Sequence, residues 1–122
     1  MKIKVIDCDF SVCKISDISN VNFNDEFCFL SKTDEEISLV CRSEYVPNNV
    51  IDREDNWRAF RIEGILDFSL IGILSEISAV LAENKIGIFA VSTYNTDYIL
   101  VKKSNFDKAI NALNNRGYSI TV

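Results

Sequence analysis

The stretch from residue 57 to residue 103 constrains the fold of this chain more than any other part of the sequence. It reads WRAFRIEGILDFSLIGILSEISAVLAENKIGIFAVSTYNTDYILVKK. The pattern predicts a strand that ends at Gly64, a loop, a long helix, and two strands joined by a polar turn. A helix at 104–116 and a strand at 118–122 complete the order β-α-β-β-α-β, which buries one face of a sheet under two helices. This order favours a ligand-sensing module over an enzyme.

The first helix is predicted from its apolar spacing and its polar start. Asp67 or Ser69 is suited to cap it, and it runs to about Asn84. One buried stripe recurs at helical spacing, at Leu70, Ile73, Leu74, Ile77 and Leu81. The strands Ile86–Thr93 and Asp97–Lys102 then form a hairpin through 94–96.

The second helix shows a start and a stop signal. Ser104 and Asp107 resemble a capping box with Asp in place of Glu or Gln. Phe106, Ala109, Ile110 and Leu113 line one face. Gly117 ends the helix.

The first half of the chain is predicted to be mainly strands. These strands lie at 2–6, 10–15, 27–31 and 37–42. The polar run 16–26 is expected to be a loop, and 43–45 a single helical turn. The charged run 48–56 is the best candidate linker, which gives two parts, residues 1–52 and 53–122.

The two parts resemble each other in strand pattern. At an offset of 61 residues, Phe27 aligns with Ile88, and the same offset pairs Ser31 with Ser92, Leu39 with Leu100, Val40 with Val101, Ser43 with Ser104 and Tyr45 with Phe106. Upstream, 10–15 aligns with 57–62 at an offset of 47. The difference of 14 residues is about four helical turns, so the first half is predicted to be the same unit with its first helix replaced by the loop 16–26.

Composition argues against several classes of protein. Thirteen basic against 18 acidic residues give a net charge of −5, which disfavours nucleic acid as a partner. Polar residues interrupt the longest apolar run, 65–82, so no membrane span is expected. The first ten residues carry Asp7 and Asp9 and do not resemble a secretory signal, so a cytoplasmic protein is expected.

Catalysis and cofactors are not expected either. The chain has no histidine, which removes the commonest general base and metal ligand. It has no phosphate-binding glycine motif, and the acidic run 34–36 is read as a turn. None of the four cysteines forms a C-x-x-C pair, so they are read as small, partly buried residues and not as a metal site. We therefore expect no enzyme activity, no metal and no cofactor.

The chain resembles the ACT domains, which bind amino acids and regulate metabolic enzymes. The resemblance covers 57–122 well and 10–46 weakly. It is carried by Glu63-Gly64, Asp67-Phe68-Ser69, Gly72-Ile73-Leu74, Leu81-Ala82-Glu83, Ile86-Gly87-Ile88 and Val91-Ser92-Thr93-Tyr94. These runs are similar to the regulatory end of aspartate kinases. The run from Ser92 to Val101 is similar to small stand-alone bacterial tandem-ACT proteins and to the animal cytosolic arginine sensor.

The resemblance implies an α+β, ferredoxin-like βαββαβ ACT domain, preceded by a truncated ACT-like repeat without its first helix. ACT units pair side by side and bind effectors at the seam, where the loop after the first strand meets a neighbouring strand. The ligand-binding residues it implies are Gly64, Leu66, Asp67, Phe68, Ser69, Leu70, Ile71, Thr93, Tyr94 and Asp97. One site per chain is expected, since the first half lacks the equivalent helix.

The chemistry of three of these residues suits an amino acid. Gly64 lets the backbone approach a ligand closely, and a helix start attracts a carboxylate. Asp67 can accept bonds from an α-ammonium group, and Asp97 can pair with a cationic side chain.

Each of these residues also has a simpler interpretation. Asp67 and Ser69 can serve only as helix caps, Gly64 only as a turn, and Asp97 only as a solvated hairpin residue. Glu36 is the residue that aligns with Asp97 in the first half, which favours a turn role for both. Trp57, Phe60 and Phe68 are better explained by core or interface packing than by an aromatic cage.

The sequence thus predicts a non-catalytic, cytoplasmic regulatory module that binds a small molecule, an amino acid by preference, and forms a homodimer. The alternative is a protein interaction or assembly module without a ligand. The sequence names neither the ligand nor the downstream partner.

Overall fold

The computed structural model describes residues 1–63 and 72–122. Within these ranges the elements follow in the order β1 (Lys2–Ile15), β2 (Cys28–Lys32), β3 (Ile37–Arg42), a 3-10 turn (Ser43–Tyr45), β4 (Val50–Ile62), α1 (Ile73–Glu83), β5 (Phe89–Ser92), β6 (Asp97–Lys102), a second 3-10 turn (Lys103–Asn105), α2 (Phe106–Asn115) and β7 (Ser119–Thr121). From β4 onward the order is the predicted β-α-β-β-α-β. None of the helices in the described part of the chain has the length and apolar character needed to cross a membrane.

The chain divides into two compact units. We call residues 8–57 the N-terminal unit, and residues 1–7 together with 58–122 the C-terminal unit. The strands β1 and β4 therefore each contribute one half to either unit. The division into domains 1–52 and 53–122 stays a prediction, because compactness alone does not show which segments fold independently.

The C-terminal unit is the complete one. Its strands lie in the order β7-β1-β4-β6-β5, and β7 runs parallel to β1, with Lys2 opposite Ser119 and Lys4 opposite Thr121. The helices and strands share one core, in which Phe60, Ile62, Ile77, Leu81, Ile99 and Leu113 are fully buried. Phe60 is therefore a core residue and not part of an aromatic cage.

The N-terminal unit has the strand order β2-β3-β1-β4. No helix follows β1: the segment 16–26 has no regular structure, as predicted. Its core consists of Cys13, Ile15, Leu39 and Cys41, against which Val21, Val46 and Val50 pack. Loop and strand residues thus pack against the core of this unit, whereas helices pack against the core of the C-terminal unit. This difference explains the smaller core of the N-terminal unit.

The predicted linker 48–56 is wrong. Strand β4 begins at Val50 and continues through the charged run, and likewise the two predicted opening strands are one strand, β1. The charges are accommodated because Asp55 accepts a bond from Arg53 at 3.0 Å and another from Ser11 at 2.5 Å. Charged side chains at the surface of a strand need only partners or water. A polar, charged run therefore does not by itself mark a break between strands.

The predicted helix starts are also corrected. Helix α1 begins at Ile73 with Gly72 at its N-cap, in the left-handed conformation with φ 84°, so neither Asp67 nor Ser69 occupies that position; both lie outside the described residues. Helix α2 begins after Asn105 and has no side-chain cap bond. The capping box of Ser104 and Asp107 is therefore wrong, because the 3-10 turn moves the helix start past Ser104.

The predicted alignment of the two hairpins at an offset of 61 is wrong by one residue, because their turns match at an offset of 60, while the repeat itself stays a prediction. The two hairpins have the same turn, in which Thr33 N donates to Glu36 O at 2.9 Å and Thr93 N to Thr96 O at 2.8 Å. Asp97 therefore corresponds to Ile37 and not to Glu36. Glu36 therefore gives no reason to assign Asp97 a turn role.

Candidate functional site

Several elements of the C-terminal unit meet at one end of its sheet. The end of β4 is joined to the β5–β6 turn, because the buried Thr96 hydroxyl donates to the Ile62 carbonyl at 2.7 Å. The next residue, Glu63, donates its backbone N–H to Lys2 O at 2.9 Å, and Ser119 N donates to Met1 O at 3.0 Å. We call this region, with the start of α1 and the end of α2, the loop end of the C-terminal unit.

The predicted loop 64–69 lies outside the described residues, as do residues 70 and 71. Seven of the ten predicted ligand-binding residues fall there: Gly64, Leu66, Asp67, Phe68, Ser69, Leu70 and Ile71. The residues that flank 64–71 are described, and Glu63 is one of the residues that define the loop end. The ligand-binding role of the seven stays a prediction.

Of the other three predicted residues, Thr93 and Tyr94 lie in the β5–β6 turn, and Asp97 is the first residue of β6. The Thr93 hydroxyl bonds the backbone of its own turn, donating to Thr96 O at 3.0 Å and accepting from Thr96 N at 3.3 Å. Tyr94 is 79% exposed, and the Asp97 carboxylate accepts a bond from the Ser92 hydroxyl at 2.5 Å. The turn places all three residues at the loop end, with Thr93 serving the turn itself.

A cavity of about 160 Å³ opens at the same end. It is lined by Met1, Ile73, Glu76, Arg116, Gly117 and Tyr118. Its lining combines one anionic and one cationic side chain, from the first turn of α1 and from the residue after α2.

The Tyr118 hydroxyl and the Glu76 carboxylate are bonded to each other. Tyr118 is only 6% exposed. Burial and, to a smaller extent, the bond to Glu76 raise the pKa of Tyr118 to about 12. The phenol therefore keeps its proton at neutral pH and is the donor in the hydrogen bond to the Glu76 carboxylate.

The sequence did not reveal these cavity residues. Gly117 was identified as a helix stop, but Glu76 and Arg116 look like ordinary exposed residues of two helices. They are 40 positions apart in the sequence, and only the packing of α1 against α2 brings them to one cavity. An acidic residue in a first helical turn is also common for reasons of helix dipole alone.

Arg61 presents a second charged cluster on the sheet of the C-terminal unit. Its guanidinium donates to the Tyr98 hydroxyl at 3.2 Å and lies 3.5 Å from a Glu63 carboxylate oxygen. The bond to Tyr98 raises the pKa of Arg61. Neighbours in the strand, Phe60 and Ile62, are buried in the core, so strand alternation places Arg61 on the opposite face of the sheet.

The N-terminal unit has a cavity of its own, of about 290 Å³. It is lined by Cys8, Asp9, Arg42, Ser43 and Glu44. Its cation, Arg42, is already bound, since Asp25 lies 3.2 Å and Glu26 3.6 Å from it. The positive charge of Arg42 is therefore largely neutralised by its two acidic partners, and this cavity offers little of it to an anionic ligand.

The cysteines are free thiols, and Cys13 and Cys41 are buried. The Cys13 thiol hydrogen bond and burial both raise the pKa of Cys41, so Cys41 stays protonated at neutral pH and is a poor nucleophile. Within residues 1–63 and 72–122, no group of three or more acidic or cysteine side chains is arranged to hold a metal ion.

Comparison with known proteins identifies one sequence family. The ACT domain matches residues 52–115, which is 64 of the 122 residues. No protein with a curated description matches the chain.

Solved structures share the fold over nearly the whole chain. The crystal structure of protein Atu0741 from Agrobacterium tumefaciens is 28% identical, with 98% of this chain and 91% of that one covered and a TM-score of 0.86. The regulatory subunit of aspartate kinase from Thermus thermophilus, in its ligand-free form, is 5% identical, with 94% and 96% covered and a TM-score of 0.66. Aspartate kinase from Clostridium acetobutylicum, an allosteric enzyme, is 15% identical; 93% of this chain covers 33% of it, with a TM-score of 0.65.

Proposed function

This chain belongs to the ACT domain family, and on that premise we propose that it is a non-catalytic regulatory protein that binds an amino acid at the loop end of its C-terminal unit. The family and the likeness to a regulatory subunit of aspartate kinase support a small-molecule-binding role. The observation that carries the choice of an amino acid is the cavity at the loop end, which offers both signs of charge. A zwitterion requires both.

Residues of the neighbouring turn are part of the proposal. We retain the ten predicted residues as candidates, with Asp97 as the partner of a ligand cation and Tyr94 as an exposed ring beside it. The predicted seam between ACT units and the predicted homodimer belong to the same proposal. Ligand binding would then shift the population of association states, since a ligand favours whichever state it binds better.

Cytoplasmic location is proposed alongside this function. All four cysteines are free, which suits a reducing compartment.

The test is a thermal-shift panel of the purified protein against the twenty amino acids. A ligand present at about one hundred times its Kd adds about 2.7 kcal/mol to the free energy of unfolding. We expect a clear shift with one amino acid or one chemical class. Asp97→Asn tests the residue that follows the turn, and Asp34→Asn is the control, because it makes the same chemical change at the β2–β3 turn of the N-terminal unit, away from the loop end.

If no amino acid raises the melting temperature at millimolar concentration, the amino-acid proposal is wrong. The second candidate, an assembly module without a ligand, would then gain support. It is favoured by the strand order, in which β2 is an outer strand of the N-terminal unit, and β5 and β7 are the outer strands of the C-terminal unit, within the described residues. Such edges offer backbone groups to a protein partner.

A further inference from the structure

The cavity at the loop end is built from two helices whose ends carry opposite charges. Glu76 lies in the first turn of α1, and Arg116 lies directly after α2. Gly117 takes a positive φ of 95°, which lets the chain turn sharply from α2 into β7. That turn brings Arg116 and Tyr118 into the lining of a single cavity with Glu76.

Glu76 is oriented by its neighbour. The buried Tyr118 hydroxyl bonds the carboxylate. A carboxylate has two oxygens and about four acceptor positions, so the bond from Tyr118 leaves acceptor capacity for an ammonium group.

Arg116 has more N–H donors than its bond to Glu83 uses. Its guanidinium donates to Glu83, and its side chain is 53% exposed. A guanidinium has five N–H donors in a planar fork that matches a carboxylate. An exposed ion pair of this kind is weak, so exchanging it for a ligand carboxylate costs little.

We propose that this cavity holds the head group of an α-amino acid, with Glu76 receiving the α-ammonium and Arg116 the α-carboxylate. The inference rests on the proposed function and assigns the head-group site to residues that neither the sequence motif nor the family match singles out. Ile73 and Met1 supply the apolar part of the lining. At about 160 Å³, the cavity is smaller than the roughly 300–1,000 Å³ of drug-sized sites. It is large enough for a small head group, and a larger ligand side chain would project out of it.

The experiment measures binding by isothermal titration calorimetry for the amino acid that gives the largest thermal shift. Glu76→Gln removes one charge at nearly constant size, and Arg116→Gln removes the other while keeping a polar, shorter side chain. Glu83→Gln is the matched control, since it breaks the ion pair with Arg116 without lining the cavity. We expect both cavity variants to weaken binding at least tenfold, because a bond to a charged group contributes about 1.5–3 kcal/mol, and the control to bind within about twofold of the wild type.

Two ligand analogues sharpen the assignment. The amino acid amide lacks the carboxylate charge, and the N-acetyl derivative lacks the ammonium charge. The wild type should reject both analogues, Arg116→Gln should no longer distinguish acid from amide, and Glu76→Gln should no longer distinguish the free from the acetylated amine. This pairing of variant with analogue isolates each contact, as a double-mutant cycle does.

The outcomes separate the two proposals. If the wild type binds an amino acid and both cavity variants bind it equally well, the head-group site is overturned while the proposed function stands. If the discrimination between analogues survives in the variants, the assignment of charges is likewise overturned. If no amino acid binds the wild type, the proposed function itself fails, and this inference fails with it.

Discussion

Tyr118 is a side chain whose ionisation is tied to the folded state. Its pKa is raised to about 12 in the folded chain, against about 10 for an unfolded tyrosine. The folded state therefore holds the phenol proton more tightly. The resulting stabilisation is complete below about pH 10 and is lost as the pH rises through about 12.

We predict that Tyr118→Phe flattens the alkaline loss of stability. Between about pH 10 and 12, the free energy of unfolding of the wild type should fall relative to the variant by up to about 1.4 kcal/mol per pH unit. Urea denaturation at each pH measures it. Tyr94→Phe is the control, because Tyr94 is exposed and its removal should leave the wild-type slope; parallel curves for Tyr118→Phe would contradict the assigned pKa.

At the same scale, the sequence predicted core residues better than site residues. Core positions such as Ile77 and Leu81 follow from apolar spacing within one helix, and both are fully buried. Glu76 and Arg116 carry no such signal, since their meaning comes from contact between helices distant in sequence. Local pattern is a property of one element, whereas a charge pair across elements depends on packing.

The elements themselves were largely predictable, and the errors fall at their ends. Order and type were right from β4 to β7, because hydrophobic periodicity changes with each element. The start of α1 was wrong because Asp67 and Ser69 are good capping residues whereas Gly72 is at first sight only an interior glycine. The first half of β4 was missed for a related reason. Its charged residues are typical of a linker, but a strand at the surface also tolerates them.

Gly72 gives a prediction about the start of α1. Its φ of 84° is unfavourable for a side chain, while a Cβ added there would meet nothing within 4 Å. Gly72→Ala should therefore destabilise the protein by about 1–2 kcal/mol through the backbone alone. Chemical denaturation measures this against Gly87→Ala, where the added Cβ also meets nothing and no positive φ occurs.

The glycine control makes the backbone argument testable. Gly87→Ala should be neutral or slightly stabilising, because alanine restricts the unfolded chain. Equal effects of the two substitutions would show that α1 does not begin at a left-handed residue.

At the scale of the whole chain, the two units differ in what covers the strands of each. The hairpins share one turn at an offset of 60 residues, yet only the C-terminal unit has helices, a larger core and a cavity between helix ends. This asymmetry supports one amino-acid site per chain. It also assigns different roles to the outer strands of the two units.

The outer strands predict which edge joins two chains. Strand β5 (Phe89–Ser92) carries no charge, whereas β2 (Cys28–Lys32) ends in a lysine, and an edge lysine disfavours pairing with another chain. We predict a homodimer that pairs through β5. Ala90 faces Ile99 in the position between the bonded pairs of the hairpin, so its N–H points away from β6 and toward a partner.

Ala90→Pro removes that N–H without breaking a bond to β6, and should shift the dimer toward monomer. Lys32→Pro makes the same kind of change on the edge of β2, since Lys32 faces Ile37 at a position that also lies between bonded pairs, and should leave the dimer intact. Sedimentation velocity at several protein concentrations measures both, with circular dichroism to verify folding. Because coupling is reciprocal, a ligand that favours the dimer must bind the Ala90→Pro protein more weakly; a wild type that stays monomeric at tens of micromolar, or a dimer lost only in Lys32→Pro, would contradict pairing through β5.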